Sequence, residues 1–261
     1  MDAAFETLLS AARAGDRAAL EALLRAEAPS IYRFARTLCG EDVDDVVQDT
    51  LLNIAQKLDT FEGRSSFSSW VFALTRSACS RRHRGKANAP KAPLSEVAER
   101  AVDEPSPEQT ESRRELSRLI DDALSSLPEP YREAIVLRDV EGLTAPDAAA
   151  SLGITVEALK SRLHRARAAL RDLLAPAIGV LAPRGPGCPD VVAMWSRKLE
   201  GELTSGDCAT MEKHLEGCPS CGAACDALRA ALEVCQRVSE REVPASVQAR
   251  VRVTLRALAP H

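Results

Sequence analysis

Apolar residues near the middle of the chain recur at Leu159, Leu163, Ala166, Leu170 and Leu173, in alternating steps of four and three, which predicts a helix with one core-facing stripe. The opposite side of that helix carries Lys160, Arg162, His164, Arg165, Arg167 and Arg171. A shorter helix is predicted just before it. Thr144 with Asp147 three residues on resembles a capping box, Pro146 suits a first turn, and Gly153 breaks the chain so that Thr155 can cap the second helix. Two helices around a tight turn, the second apolar behind and basic in front, suit the major groove of DNA. There phosphates attract the cations and base edges accept side-chain hydrogen bonds.

The same spacing governs other segments. From Val43 to Leu58 the apolar positions Val43, Val46, Val47, Thr50, Leu51, Ile54, Ala55 and Leu58 form a stripe, with Asp44, Asp45, Gln48, Asp49 and Gln56 off it. Phe67–Arg84 mixes apolar Trp70, Val71, Leu74 and Ala78 with a basic end at Arg81, Arg82 and Arg84. Val191, Val192, Trp195 and Leu199 mark a helix further on, and Val247, Val251, Leu255 and Leu258 mark a helical tail. No run has a strand's period of two, so the expected class is all-α.

Composition divides the chain. Residues 1–85 are helix-patterned, 86–111 are rich in Pro, Ala and charge and read as a linker, and 112–175 are helical again. Residues 176–189 concentrate Pro and Gly, and 190–261, led by Cys188, form a smaller cysteine-rich module. The net charge of −4 would argue against nucleic acid if it were spread evenly, yet Arg64 to Lys91 holds seven Lys or Arg and no Asp or Glu. No apolar run approaches the ~20 residues that span a bilayer, and the first residues lack a signal peptide's pattern, so no membrane partner and a cytoplasmic location are expected. Eight cysteines in a reducing compartment then point to metal ligands or redox chemistry more than to structural disulfides. Four scattered histidines make no nucleophile–base set, which disfavours an enzyme.

Together these segments resemble an extracytoplasmic-function sigma factor of bacterial RNA polymerase. DVDDVVQDTLLNIAQKL (Asp42–Leu58) resembles the family's polymerase-binding helix, FSSWVFALTRSACSRRHR its −10 region, and LPEPYREAIVLRDVEGLTAPDAAASLGITVEALKSRLHRARAAL (Leu127–Leu170) its −35-reading domain. The resemblance covers roughly residues 20–174 and implies roles residue by residue. Asp42, Asp45, Gln48 and Leu51 would face RNA polymerase core. Thr155, Lys160, Ser161, His164 and Arg165 would approach the −35 element of promoter DNA. Arg64, Ser65, Ser66, Trp70, Arg76, Arg81 and Arg82 would melt and hold the −10 element, although Ser77 stands where many members carry Asn. On residue type alone Trp70 is better suited to a core than to base stacking, and Asp44 and Asp45 to a solvated face.

In the cysteine-rich module, His214, Cys218 and Cys221 are spaced H-x3-C-x2-C. His214 and Cys218 share a helix face one turn apart, and the Cys-Pro-Ser-Cys knuckle returns a second thiolate, as a tetrahedral Zn²⁺ site requires. Cys188 is the expected fourth ligand, and Cys208, Cys225 and Cys235 are further candidates. Cys39 and Cys79 read as small apolar core residues. The module resembles a zinc-binding anti-sigma domain with its GEL-like turn (Gly201, Glu202, Leu203). The whole resembles the CorE-type metal-responsive group, which implies a sensor docking on the sigma domains and zinc, copper or cadmium as the ion. Loss of a ligand is then expected to make activity insensitive to metal and held off. Two rivals stand beside this reading: a stand-alone helix-turn-helix regulator, and a thiol-redox sensor that releases zinc.

Overall fold

The structure is a computed structural model that describes residues 3–88, 110–176, 187–238 and 245–257. Its regular elements among these are all helical. They are α1 (Ala3–Arg13), α2 (Arg17–Cys39), α3 (Val43–Lys57), α4 (Phe67–Asn88), α5 (Thr110–Ser126), α6 (Glu129–Ile135), α7 (Ala145–Leu152), α8 (Val156–Leu174), α9 (Val191–Leu199), α10 (Ser205–Gly217), α11 (Pro219–Val238) and α12 (Ala245–Ala257). Short 3-10 turns flank α3, and a π-helical turn, Val136–Val140, extends α6. This is the all-α class that the spacing implies. The fold forms two compact units, residues 1–114 with 242–261, and residues 115–241. The expected module 190–261 therefore contributes α9–α11 to the second unit and α12 to the first. Most of the expected linker 86–111, and Leu258 of the tail stripe, lie outside the described residues.

In the first unit α2, α3 and α4 pack on one another, with α1 against α2. Asp16 starts α2 by accepting from the amides of Ala18 (2.8 Å) and Ala19 (3.1 Å). The stripe on α3 is buried as its spacing requires: Val46, Val47, Leu51 and Ile54 are fully inaccessible. Each such side chain contributes roughly 1.5–3 kcal/mol by leaving water. Phe34 of α2 meets Phe72 of α4 edge-on, with ring centroids 5.1 Å apart. The tail helix α12 lies on α2 and α3, burying Val247 and Thr254.

Cys39 and Cys79 are buried, as apolar residues would be, but they are also joined as a disulfide between α2 and α4. That corrects the expectation of two separate core thiols. Forty residues of sequence hide the adjacency that packing α2 on α4 creates.

In the second unit α5 and α6 precede the helix-turn-helix formed by α7 and α8. Thr144 accepts from the Asp147 amide at 3.2 Å, and Thr155 accepts from Ala158 at 3.2 Å. Gly153 closes α7 with φ 65°, left-handed backbone that a side chain would strain. On α8 the core takes Leu159, Leu163, Ala166, Leu170 and Leu174. Leu173 was expected in that stripe but is 41% exposed, because the final step is four residues rather than three. Arg167, assigned by spacing to the basic face, is instead 1% exposed. Helices α9 and α11 also pack on α8. Val191, Val192, Cys221, Cys225, Leu228 and Leu232 form a small core that touches Ala168 of α8.

Candidate DNA-reading helix and metal centre

Four of the cysteine-module residues converge. The ligand-capable atoms of Cys188, His214, Cys218 and Cys221 all lie within 4.8 Å of one another. Cys188 Sγ and Cys218 Sγ are 3.7 Å apart. Two thiolates bound at ~2.3 Å on a tetrahedral ion would stand roughly 3.8 Å apart, so the spacing fits zinc. His214 Nε2 is buried with no hydrogen-bond partner, which leaves its lone pair for an ion. The sulfur environments differ. Cys218 is held below the ordinary thiol value, chiefly by the Cys221 backbone amide donating to it. Burial pushes the Cys221 thiol up to about 12, with hydrogen bonds among the three sulfurs adding to it. Metal binding would therefore displace a proton from Cys221, and acid would oppose it.

The surplus thiols stand apart from this cluster. Cys225 is buried beside the Val191 carbonyl, at 4.0 Å, and burial raises its pKa. Cys208 is half-buried and outside the group of four, and the side chain of Cys235 lies outside the described residues.

The module also presents carboxylates to α8, through a turn that connects α9 to α10. Gly201 in that turn has φ 69°, which lets Glu200 and Glu202 both face α8. Glu202 bridges two side chains of that helix: Oε1 is 3.0 Å from Lys160 Nζ and Oε2 is 3.5 Å from His164 Nε2. The Glu202 carboxyl is held below its usual range, first by the hydrogen bond from Lys160 and against the opposing effect of burial.

Deeper in, Arg167 donates to Asp139 (2.6 and 3.0 Å), to Glu200 (2.7 Å) and to the Ser196 hydroxyl (2.9 Å). Arg138 reaches the other Glu200 oxygen at 3.2 Å. Burial lowers the tendency of Arg167 to hold its proton, but hydrogen bonds and charge from Asp139 and Glu200 outweigh it and the guanidinium stays charged. Thr155, Ser161 and Arg165 remain exposed on α8.

In the first unit the residues expected to face DNA and polymerase partly face one another. Arg82 pairs with Asp45 (3.1 Å) and Asp49 (3.0 Å), and the Asp49 hydrogen bond raises its pKa. Arg250 of α12 donates to Gln48 at 2.5 Å and lies 3.8 Å from both Asp44 and Asp45. Asp42 is half-buried. Leu51, expected to face polymerase, is fully buried, since it shares the apolar stripe with Val47 and Ile54.

Arg64 is exposed beside Glu62, and Ser66 accepts from the Ser69 amide at 3.2 Å at the start of α4. Ser65 donates to the Ser66 carbonyl, Arg81 to Ser77, and Arg76 is half-buried. Trp70 is half-buried against Phe61 and Phe67, with centroids 5.4 and 5.5 Å away. Sequence reasoning missed Asp139, Glu200, Glu202 and Arg250 as partners. Only the GEL-like turn signalled any of them.

Comparison with known proteins fits these parts together. Residues 23–89 match the Sigma-70 region 2 family, 117–170 match Sigma-70 region 4, and 188–222 match a zinc-finger family. SigM of Mycobacterium tuberculosis, an ECF RNA polymerase sigma factor, is 36% identical over 170 residues, 64% of this chain and 83% of its own. The chain belongs to the extracytoplasmic-function RNA polymerase sigma factors. Helices α2–α4 are thus its region 2, and α7 and α8 lie in its region 4. SigE of Mycolicibacterium smegmatis is 32% identical over 167 residues, and the match spans 65% of that protein's length. The solved structure of CnrH in complex with the cytosolic domain of CnrY superposes with TM-score 0.50 at 31% identity, covering 65% of this chain and 96% of CnrH. No helix among the described residues is long and apolar enough to cross a membrane.

Proposed function

We propose that this chain directs RNA polymerase core to −35/−10 promoters, catalyses no reaction itself, and carries its own metal-dependent regulator in α9–α12. The observation that carries the regulatory part is Glu202 lying across Lys160 and His164. Lys160, Ser161, His164 and Arg165 are the residues proposed to meet the −35 element, and a carboxylate on two of them occupies the place of a phosphate or base edge. Closed in this way, α8 does not read DNA. The residues proposed for the −10 element are Arg64, Ser65, Ser66, Trp70, Arg76, Arg81 and Arg82, and Asp42, Asp45 and Gln48 are proposed to meet polymerase.

Cys188, His214, Cys218 and Cys221 would hold the ion, with zinc favoured by the tetrahedral mix of thiolate and imidazole. A bound ion supplies the cross-link that fixes α9, α10 and α11 as one body. Cys221 belongs to the same apolar core that touches Ala168 of α8, so the order of the cluster and the cover on α8 are mechanically linked. Loss of the cluster therefore opens the chain. Cys218→Ser, Cys221→Ser and His214→Ala are expected to be metal-insensitive and active, the opposite sign from the sequence expectation. Run-off transcription with core polymerase across a zinc, copper and cadmium series tests this. Equal, metal-dependent activity in wild type and all three variants refutes it.

One observation favours a redox variant of the same reading. Cys218 is half-exposed and its thiol is held below the ordinary value, which makes it the more nucleophilic sulfur of the cluster. Zinc release on peroxide treatment, lost in Cys218→Ser, would support that route.

A further inference from the structure

Outside the metal module, one pair of sulfurs is brought together by the fold alone. Cys39 ends α2 and Cys79 lies inside α4, forty residues away, with Cα atoms 5.6 Å apart. That separation lies within the range a disulfide spans without backbone movement. Both residues are nearly inaccessible, at 5% and 3% exposure. The free cysteines among the described residues all belong to the module, from Cys188 to Cys225. The bond also sits next to functional parts. Cys39 leads through a short turn into α3, which carries Asp45 and Asp49, and Cys79 lies three residues before Arg82, which binds both.

We propose that Cys39 and Cys79 are a reversible thiol–disulfide modification site in region 2, separate from the metal cluster and oxidised by low-molecular-weight disulfides. In the step, one cysteine thiolate attacks the small disulfide, forming a mixed disulfide and expelling one small thiol. The second cysteine thiolate then attacks the protein sulfur of that mixed disulfide and expels the other small thiol. Two protein thiols lose two electrons and two protons, and one small disulfide becomes two small thiols.

Burial gives the pair its character. Reagents reach it only through local opening where α2 ends, so exchange is slow, and once closed the bond is shielded from reductant. Oxidation ties α2 to α4 and removes freedom from the unfolded chain, whereas the reduced pair remains as two small apolar side chains that leave the core filled.

The full-length, zinc-loaded protein is equilibrated with glutathione and glutathione disulfide mixtures, quenched, alkylated after denaturation and mapped by mass spectrometry. Zinc release is followed with a chromophoric chelator in the same samples. The expected result at glutathione disulfide excess is a Cys39–Cys79 cross-linked peptide, loss of both alkylation sites, zinc still bound, and reversal by dithiothreitol. The thermal midpoint of unfolding should rise by on the order of 10 °C on oxidation.

Cys39→Ala and Cys79→Ala should each remove the cross-link and the midpoint shift while keeping zinc. Cys39→Ser serves where alanine destabilises the core. Alkylation of both residues at every glutathione ratio overturns the proposal, as does a cross-link from either residue to a module cysteine. Zinc release without this cross-link supports redox control at the metal centre and likewise overturns the region 2 site.

Discussion

The two charged faces of this sigma factor are each met by opposite charge from its carboxy-terminal part, but to different depths. On α8 the basic face meets Glu200 and Glu202, and the contact includes Arg167 and Glu200 with side chains 1% exposed. On α3 the acidic face meets Arg250 of α12, whose side chain stays 33% exposed and reaches Asp44 and Asp45 only at 3.8 Å. Depth decides strength. Breaking a buried, hydrogen-bonded pair leaves a charge without its partner and costs several kcal/mol, whereas exposed pairs contribute about 0–1 kcal/mol. The contact on region 4 is therefore the stronger of the two, and the proposed function gives it the part of a lock and gives the contact on region 2 that of a weaker clip for polymerase to displace.

Metal removal should have the largest effect. Structural zinc sites of this ligand type contribute on the order of 10 kcal/mol of apparent binding energy at neutral pH. Chelation is expected to abolish the calorimetric transition of α9–α11 and to expose their amides to exchange, while region 2 melts unchanged. If the module keeps its transition without metal, the cluster does not hold it together.

Next comes Glu200→Ala. It leaves Arg167 with Asp139 and Ser196 as partners, so the expected loss is about 2–3 kcal/mol rather than the ~3–5 kcal/mol of a fully orphaned charge. Hydrogen exchange in α9 reads it. A loss no greater than that of an exposed control, such as Glu212→Ala, would show that the buried network is not the lock.

Glu202→Gln should matter less, with roughly 0.2–1 kcal/mol lost from the closed state and DNA binding raised by up to about five-fold. The pH dependence has a definite sign. The carboxyl is held low by Lys160, so its contribution is complete above the ordinary glutamate value of ~4.3 and disappears as pH falls through the lowered value. Protection of the Gly201-turn amides, corrected for the pH dependence of intrinsic exchange, should be flat from neutral pH down to about 5 and fall only in stronger acid. A loss of protection near neutrality would remove Glu202 as its cause. The smallest effect belongs to Arg250→Ala, expected to raise polymerase affinity by up to about five-fold in a core-binding titration. Unchanged affinity would mean that α12 does not compete at α3.

The same difference in depth explains what the sequence made legible. The helices and the Thr144 and Thr155 caps follow from local periodicity, and the H-x3-C-x2-C spacing groups His214, Cys218 and Cys221; Cys188 is the expected fourth ligand, and only the fold separates it from the other candidates Cys208 and Cys225. Arg167 looked like one more surface cation because periodicity places it on a polar face. Pairing with Asp139, twenty-eight positions earlier, and the docking of α9, whose residues begin more than twenty positions later, turn that side chain inward. Cys39 with Cys79, and Arg250 with Gln48, are likewise long-range pairs without a local signature. Leu51 failed in the opposite sense. A role carried over from the resemblance put it on the surface, while its own spacing with Val47 and Ile54 already placed it in the core.

In the proposed function the module and promoter DNA compete for α8, and this competition runs through Glu200 and Glu202. It is tested most directly by fluorescence-anisotropy binding of the zinc-loaded full-length chain to a −35 duplex, selected from a randomised library by the Glu200→Ala/Glu202→Ala variant. The double variant should bind at least about ten-fold more tightly than wild type, and chelation should raise wild-type affinity toward that of the variant without changing the variant itself. Equal affinity of zinc-loaded wild type and variant would contradict the account.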